Sequence, residues 1–277
     1  MRLMRRLRLL PLVLAVLLIA GSVPAAPMDR GSALDLQLVR ELRATFPRLK
    51  ALLAEDQPDQ EQMRATLMRL LDSIPDSPPE RQPVLLLAAD RLAAGLWVGW
   101  QPASSWKPQR KRLPGYQLTY EWVPRQARWA YMRDLQRRVW ENYADTEWGE
   151  LTFVLLTNQG WDTSSTCANG RDQFREVIQR GEEFLAARAE SPHRMEVMFA
   201  LAQAYETWFS LSQVPGSEGG PAYQQGADEA RAKAVVYYNQ VVQAAPKSEQ
   251  AAYAQQRLSR LKLSLDTNQR RFYCVYN

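Results

Sequence analysis

Apolar residues recur at helical spacing along most of this 277-residue chain, and this periodicity limits the fold more than any other feature. Large apolar residues separated by three or four positions place their side chains on one face of an α-helix. The spacing predicts helices over 33–54, 60–73, 83–97, 125–143 and 147–158, and four more between 174 and 265. Together these segments predict an all-α protein built of stacked antiparallel helical hairpins.

The signals at the ends of these segments are mostly prolines, glycines and capping residues. Pro47 is predicted to kink or divide the first helix. Ser191, followed by Pro192, is predicted to cap one C-terminal helix, and Ser248 to cap another. Prolines and glycines predict long loops over 100–114 and 213–225, and the alternating aromatic and β-branched residues of 116–123 predict a short strand.

The first 26 residues have the layout of a secretory signal peptide. Arginines at 2, 5, 6 and 8 precede a mainly apolar run over 9–20, and small residues follow it. Cleavage is predicted after Ala25, by either the general or the twin-arginine route. The alternative is an uncleaved anchor, but twelve helical residues reach only about 18 Å across a hydrocarbon core of about 30 Å. We expect a periplasmic or secreted protein, without a lipid-modified cysteine.

The net charge of +5 suggests a polyanionic partner, but its distribution does not support one. Removal of the predicted signal peptide over 1–25 leaves 31 basic and 30 acidic side chains. A nearly neutral protein displaces few counterions from a nucleic acid, so no nucleic-acid partner is predicted. No later stretch approaches 18 consecutive apolar residues, so no membrane span is predicted after signal removal.

The chain has two cysteines, Cys167 and Cys274. In an exported protein two lone cysteines are expected to pair. The predicted disulfide closes a loop of about a hundred residues, for a stabilisation of about 4–5 kcal/mol. It would hold the tail over 271–277 against the polar turn over 160–170. The alternative is a reactive thiol, although neither cysteine lies in a C-x-x-C pair.

Eight of the nine tryptophans lie between Trp97 and Trp161. One interpretation is a tryptophan-rich core where the N-terminal helices meet the C-terminal hairpins. The other is an aromatic surface with a basic rim, able to stack on sugar rings or to bind a protein. Trp106 lies among prolines and is predicted to be the most exposed. The candidate binding residues are therefore Trp106, Lys107, Arg110, Lys111 and Arg112.

The sequence contains no strong catalytic motif. Ser104 and Lys107 fit S-x-x-K, but neither S-D-N nor K-T-G follows. Phosphate-binding and dinucleotide-binding glycine motifs are missing from the sequence, and one histidine with two cysteines does not predict a metal site. No cofactor and no enzyme activity are predicted. Acidic residues at 145, 147 and 150, and at 182 and 183, leave a carboxylate-dependent hydrolase open as an alternative.

One C-terminal segment resembles a tetratricopeptide repeat. It has a small residue where two helices would cross, an aromatic residue beside it and a closing proline, on Leu201, Ala202, Tyr205, Ala234, Tyr238, Val241 and Pro246. The loop between the two helices would be about twenty residues longer than in the family, and Val241 stands where the family prefers alanine. The resemblance covers at most 171–265. Within it, the fragment Ala234–Leu261 is similar to repeats in exported tetratricopeptide-like envelope proteins of the outer-membrane-assembly and Tol–Pal-associated types. It implies an all-helical scaffold that binds partners.

These observations divide the chain into four predicted regions. They are a signal peptide over 1–25, an N-terminal helical region over 26–100, a tryptophan-rich middle region over 101–169, and tetratricopeptide-like hairpins with a disulfide-tied tail over 170–277. The predicted function is a non-enzymatic scaffold or adaptor that binds a protein partner in the cell envelope through helical-repeat surfaces. Loops over 101–124 and 213–225 are the expected specificity elements. The alternative is a module that binds cell-wall glycan, such as peptidoglycan, through exposed tryptophans.

Overall fold

The computed structural model describes residues 30–49, 52, 59–107, 109–124, 127–159, 172–214 and 221–273, and this part of the chain is mostly helical. Its helices are α1 (Arg30–Thr45), α2 (Gln60–Ser73), α3 (Gln82–Gly95), α4 (Asp134–Tyr143), α5 (Glu147–Gln159), α6 (Gln173–Ala187), α7 (Arg194–Ser212), α8 (Pro221–Gln224), α9 (Ala227–Ala244) and α10 (Glu249–Lys262). The strands are β1 (Arg110–Leu113), β2 (Leu118–Val123) and β3 (Arg128–Tyr131). The predicted signal peptide, Cys167 and Cys274 lie outside the described residues.

Several helix ends follow from local chemistry. Helix α1 ends at Thr45 and a 3₁₀ turn begins at Pro47, because proline lacks an N–H and disfavours helix in the residue before it. The Ser248 side chain accepts a hydrogen bond from the Ala251 N–H at 3.1 Å and caps α10 as predicted. The predicted cap at Ser191 is wrong. Helix α7 begins only at Arg194, because two turns precede it. In the first, the Ser191 N–H donates to the Arg188 carbonyl, and in the second the Arg194 N–H donates to the Ser191 carbonyl.

A three-stranded antiparallel sheet corrects the all-α prediction. The strand order is β1-β2-β3, with Lys111 opposite Tyr120 and Tyr120 opposite Tyr131. Strand β2 confirms the short strand predicted over 116–123. Strand β1 lies in the segment predicted to be a loop, and β3 occupies the start of the predicted helix over 125–143. The chain leaves β3 through Arg133, whose backbone is left-handed at φ 56°, and only then begins α4.

The buried apolar residues form two clusters that share one helix. The first cluster is formed by α1 to α4 and the inner face of the sheet, where the Tyr120 hydroxyl donates to the Ala93 carbonyl at 3.0 Å. The second is formed by α6 to α10. Helix α5 supplies Leu151 and Leu155 to the first cluster and Phe153 and Leu156 to the second. The two clusters are therefore linked through opposite sides of α5.

The C-terminal helices pack in sequence order. Phe174 of α6 contacts Trp208 of α7 at a ring distance of 6.0 Å, and Gly181 faces Leu201, so α6 and α7 run in opposite directions. A Cβ atom at Gly181 would lie 2.8 Å from a methyl carbon of Leu201, so this close approach requires glycine. Helix α7 also packs against α9, and α9 against α10.

A buried ion pair joins α7, α9 and α10. The carboxylate of Glu206, fully buried on α7, accepts a hydrogen bond from the Tyr238 hydroxyl at 2.6 Å and pairs with the Arg257 guanidinium at 2.6 Å. Arg257 also donates to the carbonyl of Thr267 at 2.7 Å. The three helices are thus connected by one polar centre whose buried hydrogen-bonding atoms depend on each other.

The segment after α10 lies along α7 and returns to α5 and α6. Arg271 donates to the Gln203 side chain at 2.6 Å and to the Asn158 carbonyl at 3.0 Å. The Phe174 N–H donates to the carbonyl of Phe272 at 2.9 Å. Within the described residues, this segment is therefore held by hydrogen bonds. None of the helices in the described part of the chain is long and apolar enough to cross a lipid bilayer.

Candidate functional site

The five predicted binding residues lie at one edge of the sheet. Trp106 and Lys107 belong to the segment that leads into β1, and Arg110, Lys111 and Arg112 make up most of β1. All five are exposed. Because the strand order places β1 at the outside of the sheet, the three cations form what we call the basic edge, Arg110–Lys111–Arg112.

The segment that carries Trp106 is anchored although Trp106 itself is 71% exposed. The side chain of Gln109 accepts from the Ala103 N–H at 2.8 Å and donates to the Ser104 carbonyl at 2.7 Å. The indole N–H of Trp122, on β2, donates to the Ser105 carbonyl at 2.9 Å. These bonds attach the backbone on the N-terminal side of Trp106 to the start of β1 and to β2, so the indole lies on an anchored loop.

The tryptophans divide between the two interpretations of the sequence. Trp122 and Trp129 are buried on the inner face of the sheet with ring centroids 5.9 Å apart, and Trp100 meets Trp129 edge-on at 5.4 Å. These three belong to the core region. Trp97 and Trp106 are 70% and 71% exposed and lie on the surface. Trp161 lies outside the described residues.

The cations of the site differ in their partners. The Lys107 ammonium lies 4.4 Å from the centre of the Trp106 ring, and the Lys111 ammonium lies 5.4 Å from that of Trp129. Arg110 pairs at 2.8 Å with the carboxylate of Glu121, which is buried on β2. In the described part of the chain Arg112 forms no ion pair, so its charge is available to a ligand.

A cleft of about 380 Å³ opens beside the basic edge. Besides the basic edge itself, Asp134 and Arg137 from the start of α4 line it. These two side chains pair with each other at 3.3 Å, and Asp134 also accepts from the Thr119 N–H. Four cationic side chains and one anionic side chain therefore line this cleft. Sequence reasoning missed Asp134 and Arg137, because it placed them in the interior of one continuous helix.

Several residues of the catalytic alternatives have other contacts in the described part of the chain. The Ser104 hydroxyl makes no hydrogen bond to the described residues, and Lys107 lies against Trp106. Asp145 and Glu150 both pair with Arg188, at 2.9 and 3.5 Å. No group of three or more histidine, cysteine, aspartate or glutamate side chains among the described residues is placed to hold a metal ion.

A second polar cluster lies where α6, α7 and α9 meet. One oxygen of Glu182 accepts from the Tyr205 hydroxyl at 2.7 Å, the Lys233 ammonium at 3.2 Å and the Tyr237 hydroxyl at 3.3 Å. Burial opposes the charged form of Glu182, but the hydrogen bonds from Tyr205 and Lys233 outweigh it and hold the pKa of this carboxyl below its ordinary value. Burial and the same carboxylate raise the pKa of Tyr237 to about 12.

A comparison with known protein families, curated proteins and solved structures finds no match to this chain. Its function is therefore inferred from the geometry of its own residues. The basic edge with Trp106 combines an exposed aromatic ring with cations on one described surface.

Proposed function

We propose that this protein is a non-enzymatic scaffold or adaptor of the cell envelope, exported by the signal peptide over 1–25, that binds a protein partner. The observation that carries the proposal is the indole of Trp106, which is exposed on an anchored loop beside the basic edge. Tryptophan and arginine are the residue types most enriched among those that dominate the affinity of protein interfaces. A held loop also loses little conformational freedom on binding, which favours affinity.

The area of Trp106 gives the scale of this contribution. A tryptophan side chain buries about 150–250 Å², and most of that area is accessible here. At about 25 cal/mol per Å², covering the exposed part with a partner would contribute about 3–4 kcal/mol. This figure is an upper bound on the gain in affinity, because association also costs rotational and side-chain freedom, and on this scale we expect Trp106 to be a dominant residue of the interface.

The helical part of the chain supports the scaffold role. Helices α6, α7, α9 and α10 follow one another as packed neighbours, in the manner we propose for a tetratricopeptide-like unit with an enlarged connection. The cluster around Glu182 adds a stacked tyrosine pair, in which buried Tyr205 of α7 lies 6.0 Å from half-buried Tyr237 of α9. We propose this face as a second contact region for the partner.

The test is a pull-down from an envelope extract with the full-length mature protein as bait. We expect the double variant Trp106→Ala with Arg112→Ala to lose the partner. Arg112 is chosen over Arg110, because removing Arg110 would leave the buried carboxylate of Glu121 without its cation. Trp97→Ala is the matched control, since Trp97 is equally exposed but lies outside the basic edge. Retention of every partner by the double variant would overturn the proposal.

A cell-wall glycan-binding module is the second candidate. The flat exposed rings of Trp97 and Trp106 favour it, since aromatic faces stack on sugar rings. In this case the wild-type protein sediments with purified peptidoglycan and Trp106→Ala does not. Sedimentation of the variant to the wild-type extent, or no sedimentation of either, would exclude this role for Trp106.

A further inference from the structure

The phase of the hydrogen bonds in the sheet shows which atoms β1 presents outward. The Trp122 N–H donates to the Gln109 carbonyl at 2.8 Å, and residues facing each other in an antiparallel pair alternate between bonded and non-bonded positions. Lys111 therefore bonds to Tyr120, whereas the main-chain N–H and C=O groups of Arg110 and Arg112 point away from β2. In the described part of the chain, no backbone hydrogen bond from a turn, loop or cap reaches Arg110 or Arg112.

The side chains of the two arginines lie on the same side of the strand. Successive residues of a strand alternate between its faces, so Arg110 and Arg112 project together, opposite to the face of Tyr120 and Trp122. A strand added beside β1 would place two of its residues, separated by one position, directly next to these guanidinium groups. Acidic residues at those two positions would complement the charge of Arg112, which has no ion pair in the described chain, and of Arg110, which pairs with Glu121 through its Nε atom.

The charge of β1 also selects among possible added strands. A second copy of β1 would bring cationic side chains opposite cationic side chains, which destabilises a strand pair. Charged residues on an edge strand reduce self-pairing for the same reason. The basic edge therefore disfavours another copy of this chain and favours an extended acidic segment.

We propose that β1 accepts an extended segment of the partner as a fourth strand, with acidic residues at alternate positions beside Arg110 and Arg112. This inference rests on the proposed function and specifies the partner's chemistry. Main-chain bonds to the outward groups of β1 give affinity, and the two arginines select the acidic pattern. The anchored loop of Trp106 borders the Gln109 end of the edge and offers an apolar contact to the residue where the added strand ends.

The test uses a fluorescently labelled peptide of eight residues that alternates glutamate and valine, titrated with the full-length mature protein. Arg112→Ala removes the charge and is expected to weaken binding about tenfold. Arg112→Pro removes the charge and the outward N–H, and is expected to weaken binding at least about tenfold more. The ladder bonds of β1 are kept in both variants, since the Arg112 N–H is not part of them. Equal affinities of the two variants, or no binding by the wild type, would overturn strand addition.

A second measurement does not depend on how the proline variant folds. Two peptides can be N-methylated at alternate residues, one at the odd-numbered and one at the even-numbered positions. In only one phase of methylation do the methyl groups point toward β1. We expect one phase to abolish binding and the other to bind like the unmodified peptide. Equal binding of both phases contradicts the inference. If the envelope partner is captured by both Arg112→Ala and Arg112→Pro while the peptide does not bind, strand addition fails and the proposed adaptor function stands.

Discussion

Replacement of Glu206 with alanine is expected to be among the most destabilising single changes in the C-terminal half of the protein. Glu206 is fully buried and accepts hydrogen bonds from both Tyr238 and Arg257 at 2.6 Å. The variant leaves two groups without their shared acceptor, the hydroxyl of fully buried Tyr238 and the guanidinium of Arg257, whose side chain is only 15% exposed. The perturbation therefore creates two unsatisfied polar groups and one uncompensated charge.

The magnitude follows from these contacts. Breaking a buried ion pair by removing one partner costs about 3–5 kcal/mol. The orphaned Tyr238 hydroxyl has a separate desolvation cost of about 1–3 kcal/mol, which overlaps with the first because both losses arise at one carboxylate. Arg257 keeps its hydrogen bond to the Thr267 carbonyl at 2.7 Å, so its charge still has one acceptor. We expect a loss of about 3–5 kcal/mol in the free energy of unfolding.

The assay is equilibrium urea denaturation followed by circular dichroism. In a thermal melt the same loss of free energy, at about 2–4 °C per kcal/mol for a protein of this size, lowers the melting temperature by about 6–20 °C. Glu176→Ala is the matched control, because Glu176 pairs with Arg180 at 3.0 Å on the surface of α6. That exposed pair is expected to contribute less than about 1 kcal/mol.

A loss no larger for Glu206→Ala than for Glu176→Ala would refute this reasoning. A double-mutant cycle with Tyr238→Phe tests the shared acceptor directly. If the two groups depend on one carboxylate, the combined loss falls short of the sum of the single losses by about 0.5–3 kcal/mol. Additive losses would show that the hydroxyl finds another partner.

Three further predictions concern other parts of the molecule. Gly181→Ala places a methyl group against Leu201 and should destabilise the protein by about 1–3 kcal/mol in urea denaturation, despite the better helix propensity of alanine. The pKa of Glu182 is lower in the folded protein than in the unfolded chain, so Glu182→Gln should lower stability near neutral pH. The difference in stability from the wild type should shrink as the pH falls through and below the ordinary pKa of 4.5, and thermal melts over that pH range measure it. Trp106→Ala should change the unfolding free energy by less than about 0.5 kcal/mol, whereas Trp129→Ala should cost about 3–5 kcal/mol in the same assay.

The helices could be predicted where apolar spacing and end signals agree. The predicted segment over 60–73 coincides with α2, and one of the four segments predicted between 174 and 265 coincides with α9, because each combines a regular apolar face with clear boundaries. The helix predicted over 125–143 is wrong over Arg128–Tyr131, which forms β3. Trp129, Met132 and Leu135 have helical spacing, but Trp129 packs across the sheet on Trp122, and the left-handed backbone of Arg133 separates strand from helix.

The exposure of Trp106 was predictable from the sequence, and the arrangement of the candidate site was not. The prolines around Trp106 indicated an exposed loop, and its exposure is confirmed. That Arg110, Lys111 and Arg112 form an edge strand was not predictable, because β1 has no apolar alternation of its own and is defined by pairing with β2. Asp134 and Arg137 reach the same surface only through the turn at Arg133.

Helix α5, with apolar residues committed to both clusters, has a consequence for how the molecule can be divided. A fragment that ends before α5 would leave the first cluster without Leu151 and Leu155, and one that begins after it would leave Phe184 without its stacked neighbour Phe153. We expect that neither fragment folds on its own. Calorimetry of the intact chain should accordingly record a single heat-absorption peak, since unfolding of either cluster exposes the α5 side chains that pack in the other.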